Sequence, residues 1–312
     1  MTPDIATLTF RDLEYIIAID YCKSFRIAAQ ECAVSQPALS AQIKKIEDVF
    51  DIQIFERTNR EVITTSLGKN IVKQCHIILE ELEMLGSVAR GSESLMNGTL
   101  RLGILETLSP YLLGRLMSQI SKAYPNLKIV LRESKRDEML EDLRVGKLEA
   151  VISTLPLPSS ASNFCFLKLF FERFRIASSI KNDLSKRKAV NVSKIDPDRL
   201  ILLDQEFSLT EQTCEILDHE ILASATPTFT TSIEAAYMML KGSDKHFVVP
   251  ELAAQWNREI KGVSLKPLNS DHIGRTIGLI WRPRYKFSDS LREFGLTIGK
   301  AALKTYPFLR KP

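Results

Sequence analysis

Residues 35–50 read Ser35-Gln36-Pro37-Ala38-Leu39-Ser40-Ala41-Gln42-Ile43-Lys44-Lys45-Ile46-Glu47-Asp48-Val49-Phe50. Ser35 is suited to cap a helix, and Pro37 to its first turn, where a missing N–H costs nothing. Leu39, Ile43, Ile46 and Phe50 recur at spacings of four, three and four, one face of an α-helix turned toward a core. The other face carries Gln36, Ser40, Gln42, Lys44 and Lys45. Gln can bond adenine bidentately, Ser suits any base, and Lys suits guanine or phosphate. A helix of this kind meets the needs of major-groove readout. Taken alone, the stretch fits an ordinary amphipathic surface helix equally well.

The residues before it separate the two readings. Leu13, Ile16 and Ile17 mark a first helix. Ser24 caps a second, which carries Phe25, Ile27, Ala28, Ala29 and Cys32, and Ala33-Val34 forms a short turn into the third. This pattern predicts a helix-turn-helix preceded by an extra helix. After Phe50, residues 54–64 read as a short β-wing with Thr58-Asn59-Arg60 at its tip.

Ala28-Ala29, Val34-Ser35-Gln36-Pro37-Ala38-Leu39-Ser40, Ile43, Ile46-Glu47, Ile54-Phe55-Glu56-Arg57-Thr58, Arg60, Thr64 and Gly68 together resemble the LysR-type transcriptional regulators. The motifs span residues 10–68, and the length and layout extend the likeness to the whole chain. The resemblance implies a sequence-specific regulator that binds double-stranded DNA and works with RNA polymerase. Its DNA-binding residues would be Ser35, Gln36, Pro37, Ser40, Gln42, Lys44, Arg57, Asn59 and Arg60.

Composition is ordinary for a globular protein: 312 residues, 45% hydrophobic and 26% charged, with a net charge of +4, which allows two or three domains. Residues 1–65 hold seven Lys/Arg and ten Asp/Glu, so the DNA-binding part is slightly acidic. A local cluster of Lys44, Lys45, Arg57 and Arg60 must therefore neutralise phosphates. No signal peptide or membrane-spanning run is visible, so a cytoplasmic protein without a membrane partner is expected. Five scattered cysteines read as reduced thiols. The four histidines (76, 219, 246 and 272) lack metal spacing, and no nucleophile-elbow or phosphate-loop pattern appears. No enzyme, cofactor or metal is expected.

Thr65 or Ser66 caps a long helix in which Ile71, Cys75, Ile78, Leu82, Leu85 and Ala89 form a heptad seam. A lone helix cannot bury such a seam. Pairing with a second copy is the simplest solution, giving a homodimer or homotetramer through Ile71, Ile78, Leu82 and Leu85. The alternative is packing on the chain's own domain. The expected domains are 1–65 (winged helix-turn-helix), 66–97 (linker helix) and 98–312 (effector-binding).

From Thr99 onward, strand-like and helix-like patterns alternate, which argues an α/β domain with a mostly parallel sheet. The layout resembles the family's two-lobed effector domain and periplasmic binding proteins, with lobes at about 98–170 plus 276–312 and about 171–275. Ligands in such sheets sit beyond the carboxyl ends of strands. That points to Thr107, Ser109, Arg136, Ser208 and Thr231 as effector-binding candidates, with a small anionic effector. For each hydroxyl, plain helix capping is the competing reading.

Arg11-Asp12-Leu13-Glu14-Tyr15, Ser109-Pro110-Tyr111-Leu112-Leu113, Gly146-Lys147-Leu148-Glu149, Arg275-Thr276-Ile277-Gly278-Leu279 and Arg282-Pro283 resemble the peroxide-sensing OxyR branch, which implies an activator of oxidative-stress genes. The likeness implies a reactive cysteine at Ser208, a resolving cysteine at Leu217 and a threonine at Arg136, and this chain has none of them. A serine hydroxyl cannot form the sulfenic acid that begins disulfide switching. The expectation is an OxyR-like scaffold without the two-cysteine switch. Two alternatives stay open: a thiol-based regulator using another cysteine such as Cys214, and a small-molecule binding protein without regulatory activity. Cys214 is expected on a helix at about 211–222, beside Glu211 and Glu215, whose charges make its thiol less reactive.

Overall fold

Thr9 starts the first helix through a reciprocal capping box with Asp12. This helix, α1 (Phe10–Cys22), is followed by α2 (Phe25–Glu31) and α3 (Gln36–Phe50), capped by Ser24 and Ser35. In the computed structural model, which describes residues 7–57, 62–89, 95–217 and 224–312, the chain divides into two compact units. The first ends at about residue 93 and the second is essentially the remainder. The core of the first unit gathers Ile16, Ile19, Phe25, Ala28, Leu39, Ile43 and Ile46, all essentially solvent-free. Strands β1 (Phe55–Arg57) and β2 (Val62–Thr64) pair antiparallel. Helix α4 (Ser66–Ala89) then runs for 24 residues. The side chain of Thr65, not Ser66, caps it by accepting from the Gly68 N–H at 2.9 Å. Gly68 is required there: a Cβ would lie 2.3 Å from the Ile54 carbonyl oxygen.

The second unit is α/β, built on one twisted sheet in the order β4-β3-β5-β11-β6-β9-β7-β8, with β10 also paired to β6. Its strands are β3 (Thr99–Leu105), β4 (Lys128–Ser134), β5 (Ala150–Leu155), β6 (Cys165–Ser179), β7 (Leu200–Leu203), β8 (Thr228–Thr230), β9 (His246–Pro250), β10 (Val263–Pro267) and β11 (Gly274–Trp281). Its helices are α5 (Ser109–Ala123), α6 (Arg136–Arg144), α7 (Ser208–Leu217), α8 (Ile233–Leu240), α9 (Glu251–Trp256) and α10 (Ser288–Thr305). The sheet is mixed where the sequence suggested mostly parallel: β3 runs parallel to β4 and β5, but β11 is antiparallel to both β5 and β6.

The two lobes arise from a change of partner along β6. Residues 165–173 pair with β11, and residues 174–179 pair with β9 and β10. One strand thus serves both halves of the sheet, and the return crossover enters β11 at Gly274. Helices α5 and α6 start beyond the ends of β3 and β4 in one lobe. Helices α7 and α8 start beyond the ends of β7 and β8 in the other. α7 spans residues 208–217 where the sequence suggested about 211–222. Ser208 is its first residue, and residues 218–223 lie outside the described set.

Candidate functional sites: a reading helix and an inter-lobe cleft

The α3 side chains sort by burial as the periodicity requires. Leu39, Ile43 and Ile46 are buried, while Gln36, Pro37, Lys44 and Lys45 are exposed and Ser40 is half-buried. Gln36, Ser40 and Lys44, four residues apart, form one ridge. Ser35 accepts the Ala38 N–H through Oγ at 3.3 Å and so serves as the cap. Gln42 also makes a contact within the unit. Its Nε2 donates one of its two N–H groups to Asp12 Oδ1 at 2.7 Å, tying α3 to α1. Of the wing residues, Arg57 ends β1, and Asn59 and Arg60 lie outside the described residues. The wing base is held from both sides. Glu47 Oε1 of α3 accepts the N–H groups of Ile54 and Phe55 at 2.7 and 3.1 Å, and Thr65 Oγ1 donates to the Gln53 carbonyl at 2.8 Å.

The heptad seam of α4 splits in two. Cys75 is buried in the unit's own core with Val72, and Ile71 packs at its margin, so this part follows the own-domain reading. Ile78 stays 38% exposed and Leu85 65%, with Leu82 half-buried between them. Among the described residues, the second half of the seam is an apolar stripe that the unit itself leaves partly uncovered.

In the second unit, Thr107, Ser109 and Ser208 are all buried, and helix starts from the two lobes meet across the cleft. Tyr111 on α5 donates its hydroxyl to Glu234 on α8 at 2.5 Å. That carboxylate, together with burial, pushes the Tyr111 phenol above its ordinary range. Lys135, just before α6, pairs with Glu206, just before α7. Arg136 contacts Glu211 of α7 at 2.7 Å and Asp137 at 3.3 Å. The cation expected to face a ligand is thus held by the chain's own carboxylates. Ser109 Oγ donates to Glu133 at 2.6 Å. Thr231 is exposed, apart from these contacts, and its neighbour Ser232 caps α8.

Beneath the cleft lies a buried network that sequence reasoning missed. Arg275, opposite Glu172 in the β11–β6 register, donates Nε to its carboxylate at 2.8 Å, and both side chains are fully buried. The two Nη groups of Arg275 reach Thr107 Oγ1 at 2.9 Å and Thr107 O at 3.1 Å. Glu172 also accepts the Leu252 N–H at 2.7 Å. Burial pushes the Glu172 carboxyl up, and Arg275 acts against that shift. Because Thr107 Oγ1 accepts from Arg275, its own proton remains free to donate. The signal in the sequence is Arg275 opening a mostly apolar, strand-like run to Trp281.

Burial holds four of the thiols in their protonated form, which is the less nucleophilic one. Burial pushes Cys75 up to about 12. Cys214 is raised by burial and by Glu211 and Glu215. Cys22 and Cys32 are raised by burial and nearby carboxylates. All five cysteines are free.

A winged helix-turn-helix, an α-helical linker and a two-lobed α/β binding domain define a bacterial transcription regulator with a ligand-binding regulatory half. The chain belongs to the LysR family. Residues 10–69 match the bacterial regulatory helix-turn-helix protein of the lysR family, and residues 93–301 match the LysR substrate binding domain. It is OxyR-like. It is 32% identical over 280 residues to the hydrogen peroxide-inducible genes activator of Haemophilus influenzae, covering 88% of this chain and 91% of that one. It is 32% identical over 276 residues to the DNA-binding transcriptional dual regulator OxyR of Escherichia coli K12, covering 88% and 90%. Among solved structures, a hydrogen peroxide-bound OxyR variant of Corynebacterium glutamicum superposes with a TM-score of 0.66 at 26% identity, covering 96% and 94%. A full-length OxyR variant of Pseudomonas aeruginosa reaches a TM-score of 0.76 at 24% identity over 95% of each chain. No helix among the described residues is long and apolar enough to cross a membrane.

Proposed function

We propose that this regulator receives its signal at the inter-lobe cleft by exchange of ion-pair partners and not by thiol oxidation, and that it acts in the cytoplasm as a homodimer or homotetramer on paired DNA half-sites. The observation that carries the reading is the pair of lobe-bridging contacts, Lys135–Glu206 and Arg136–Glu211, which flank Ser208. Glu206 and Glu211 hold the two cations as an effector's carboxylates would. A small anion that takes their place releases the lobes from one another and biases the regulator's conformation. Thr107, Ser109 and Ser208 line the same cleft and supply hydroxyl groups for such a ligand. On DNA, Ser35, Gln36, Pro37, Ser40, Lys44 and the wing from Arg57 onward form the contact surface. RNA polymerase is the natural receiver of the output.

The name of the Haemophilus influenzae relative, a hydrogen peroxide-inducible genes activator, makes hydrogen peroxide the first inducer to test. The raised Cys214 thiol and the serine at 208 argue against a disulfide route. Purified full-length protein should show a thermal shift with a small dicarboxylate that Arg136→Ala abolishes. Peroxide treatment should create no Cys165–Cys214 linkage by mass mapping and leave operator affinity unchanged. A peroxide-driven disulfide that alters DNA binding overturns this reading.

A further inference from the structure

We infer that Gln42, although it sits on the reading helix, is a positioning residue and not a base reader, and that buried Asp12 on α1 is the group it positions against. Asp12 is only 2% exposed and accepts three hydrogen bonds: Thr9 N–H at 2.9 Å, Thr9 Oγ1 at 2.9 Å and Gln42 Nε2 at 2.7 Å. None of these donors is charged. The Asp12 side chain lies beside the start of α1, where the helix dipole favours an anion, and all three donors converge on its two oxygens. The shortest of the three is the bond to Gln42. One carboxylate therefore caps α1 and at the same time grips α3 at the level of Ile43.

The consequence concerns readout. The apolar stripe of α3 sets its depth in the unit, and Glu47 ties its C-terminal half to the wing base at Ile54 and Phe55. A polar tie at mid-helix fixes the roll, and with it the direction in which Gln36, Ser40 and Lys44 project. The tie acts on every base contact together and carries no preference for any one base.

The chemistry allows a clean swap. In Asp12→Asn, the side-chain oxygen keeps the Thr9 bonds and the new amide nitrogen can donate to Gln42, whose amide turns over to accept it. That variant should bind operator like the wild type. Gln42→Glu places two carboxylates against each other and should lower operator affinity at least about tenfold. The double variant Asp12→Asn/Gln42→Glu restores a donor–acceptor pair of reversed sense and should return affinity to within about threefold of wild type. The assay is operator binding by full-length protein against a set of sites, each substituted at one base pair. The expected result is a uniform loss in Gln42→Glu and recovery in the double variant, with base preference unchanged throughout. Thermal unfolding is followed alongside, and Gln42→Met provides a second probe that removes the donor without adding charge. A base reader gives the opposite pattern: Gln42→Glu shifts preference at one base pair, as a carboxylate accepting from cytosine would, and Asp12→Asn fails to rescue it. Either of those results overturns the inference.

Discussion

Replacing Arg275 with methionine should be among the most damaging single changes in the regulatory half. The substitution removes three hydrogen bonds, one to Glu172 and two to Thr107. It leaves the Glu172 carboxylate fully buried with the Leu252 N–H as its remaining hydrogen bond and with Glu251 near enough to repel it. Breaking a buried pair from one side costs roughly 3–5 kcal/mol. The loss has a ceiling, because the carboxyl can take up a proton instead. Holding a proton at pH 7 on a group whose ordinary value is 4.5 costs about 3 kcal/mol. Losing Arg275 raises the folded-state value further than burial already does in the wild type, so the variant takes up more proton on folding and its deficit shrinks as pH falls toward that of the unfolded carboxyl. We expect a deficit of about 3–5 kcal/mol at pH 7 that falls by more than 1 kcal/mol at pH 5.5. Adding Glu172→Gln should recover most of the loss and remove its pH dependence. Both tryptophans, Trp256 and Trp281, lie in the second unit, so urea unfolding of the full chain followed by tryptophan fluorescence reports on that unit. A deficit below about 1 kcal/mol at pH 7, or one independent of pH, would show that Glu172 does not depend on Arg275 for its burial.

Three further outcomes follow from the same structure. His246 is 1% exposed and held down to about 4 chiefly by burial and by Arg199, against the opposing pull of the Asp196 backbone, Asp196 and Asp244. Its neutral form alone is at home in the fold, so stability should fall by about 3 kcal/mol as pH drops from 6.5 to 4, and His246→Asn should flatten that limb. Leu85→Glu alters a side chain already 65% exposed, so the unit should fold normally while sedimentation shows loss of the dimer and operator binding fails; a dimeric variant would place the interface elsewhere. Gln36→Ala should weaken operator binding by roughly 1–3 kcal/mol with little effect on random DNA, and an unchanged operator affinity would remove this end of α3 from readout.

The fold was legible wherever local pattern and burial agree. The stripe of Leu39, Ile43 and Ile46 and the small pair Ala28-Ala29 announce the helix-turn-helix, and every one of these side chains is buried. Legibility failed where polar groups meet across long sequence distances. Strand β6 begins at Cys165, yet its lower half carries Glu172, Arg173 and Arg175, which look like surface loop until Arg275 and Glu251 are seen opposite them. Gln42 reads as a base contact and Asp12, 30 residues away, as part of a family-like string, and nothing local pairs them, though Thr9 three residues before Asp12 is a capping-box signal. The heptad seam was read correctly as apolar, but periodicity cannot say which half of it the chain covers for itself. Arg136 looked like a free cation because Glu211 lies 75 positions away on the other lobe.

Besides the Tyr111–Glu234 hydrogen bond, two sets of inter-lobe contacts differ in what it costs to break them. At the mouth of the cleft, the partners of Lys135 and Arg136 are Glu206 at 71% and Glu211 at 48% side-chain exposure. Exposed pairs are worth about 0–1 kcal/mol each, so a ligand with ordinary coupling of about 1–3 kcal/mol can exchange them. At the base, Thr107, Arg275, Glu172 and the Leu252 N–H form a continuous buried chain from the end of β3, across β11 and β6, to the start of α9. Breaking it leaves a buried charge without its partner, at several times the cost. The affordable motion is therefore opening at the mouth about an intact base. Ser208 stands at the first residue of α7, three residues before Glu211 and two after Glu206. On the reading proposed above, a signal that changes either pair acts at that helix start.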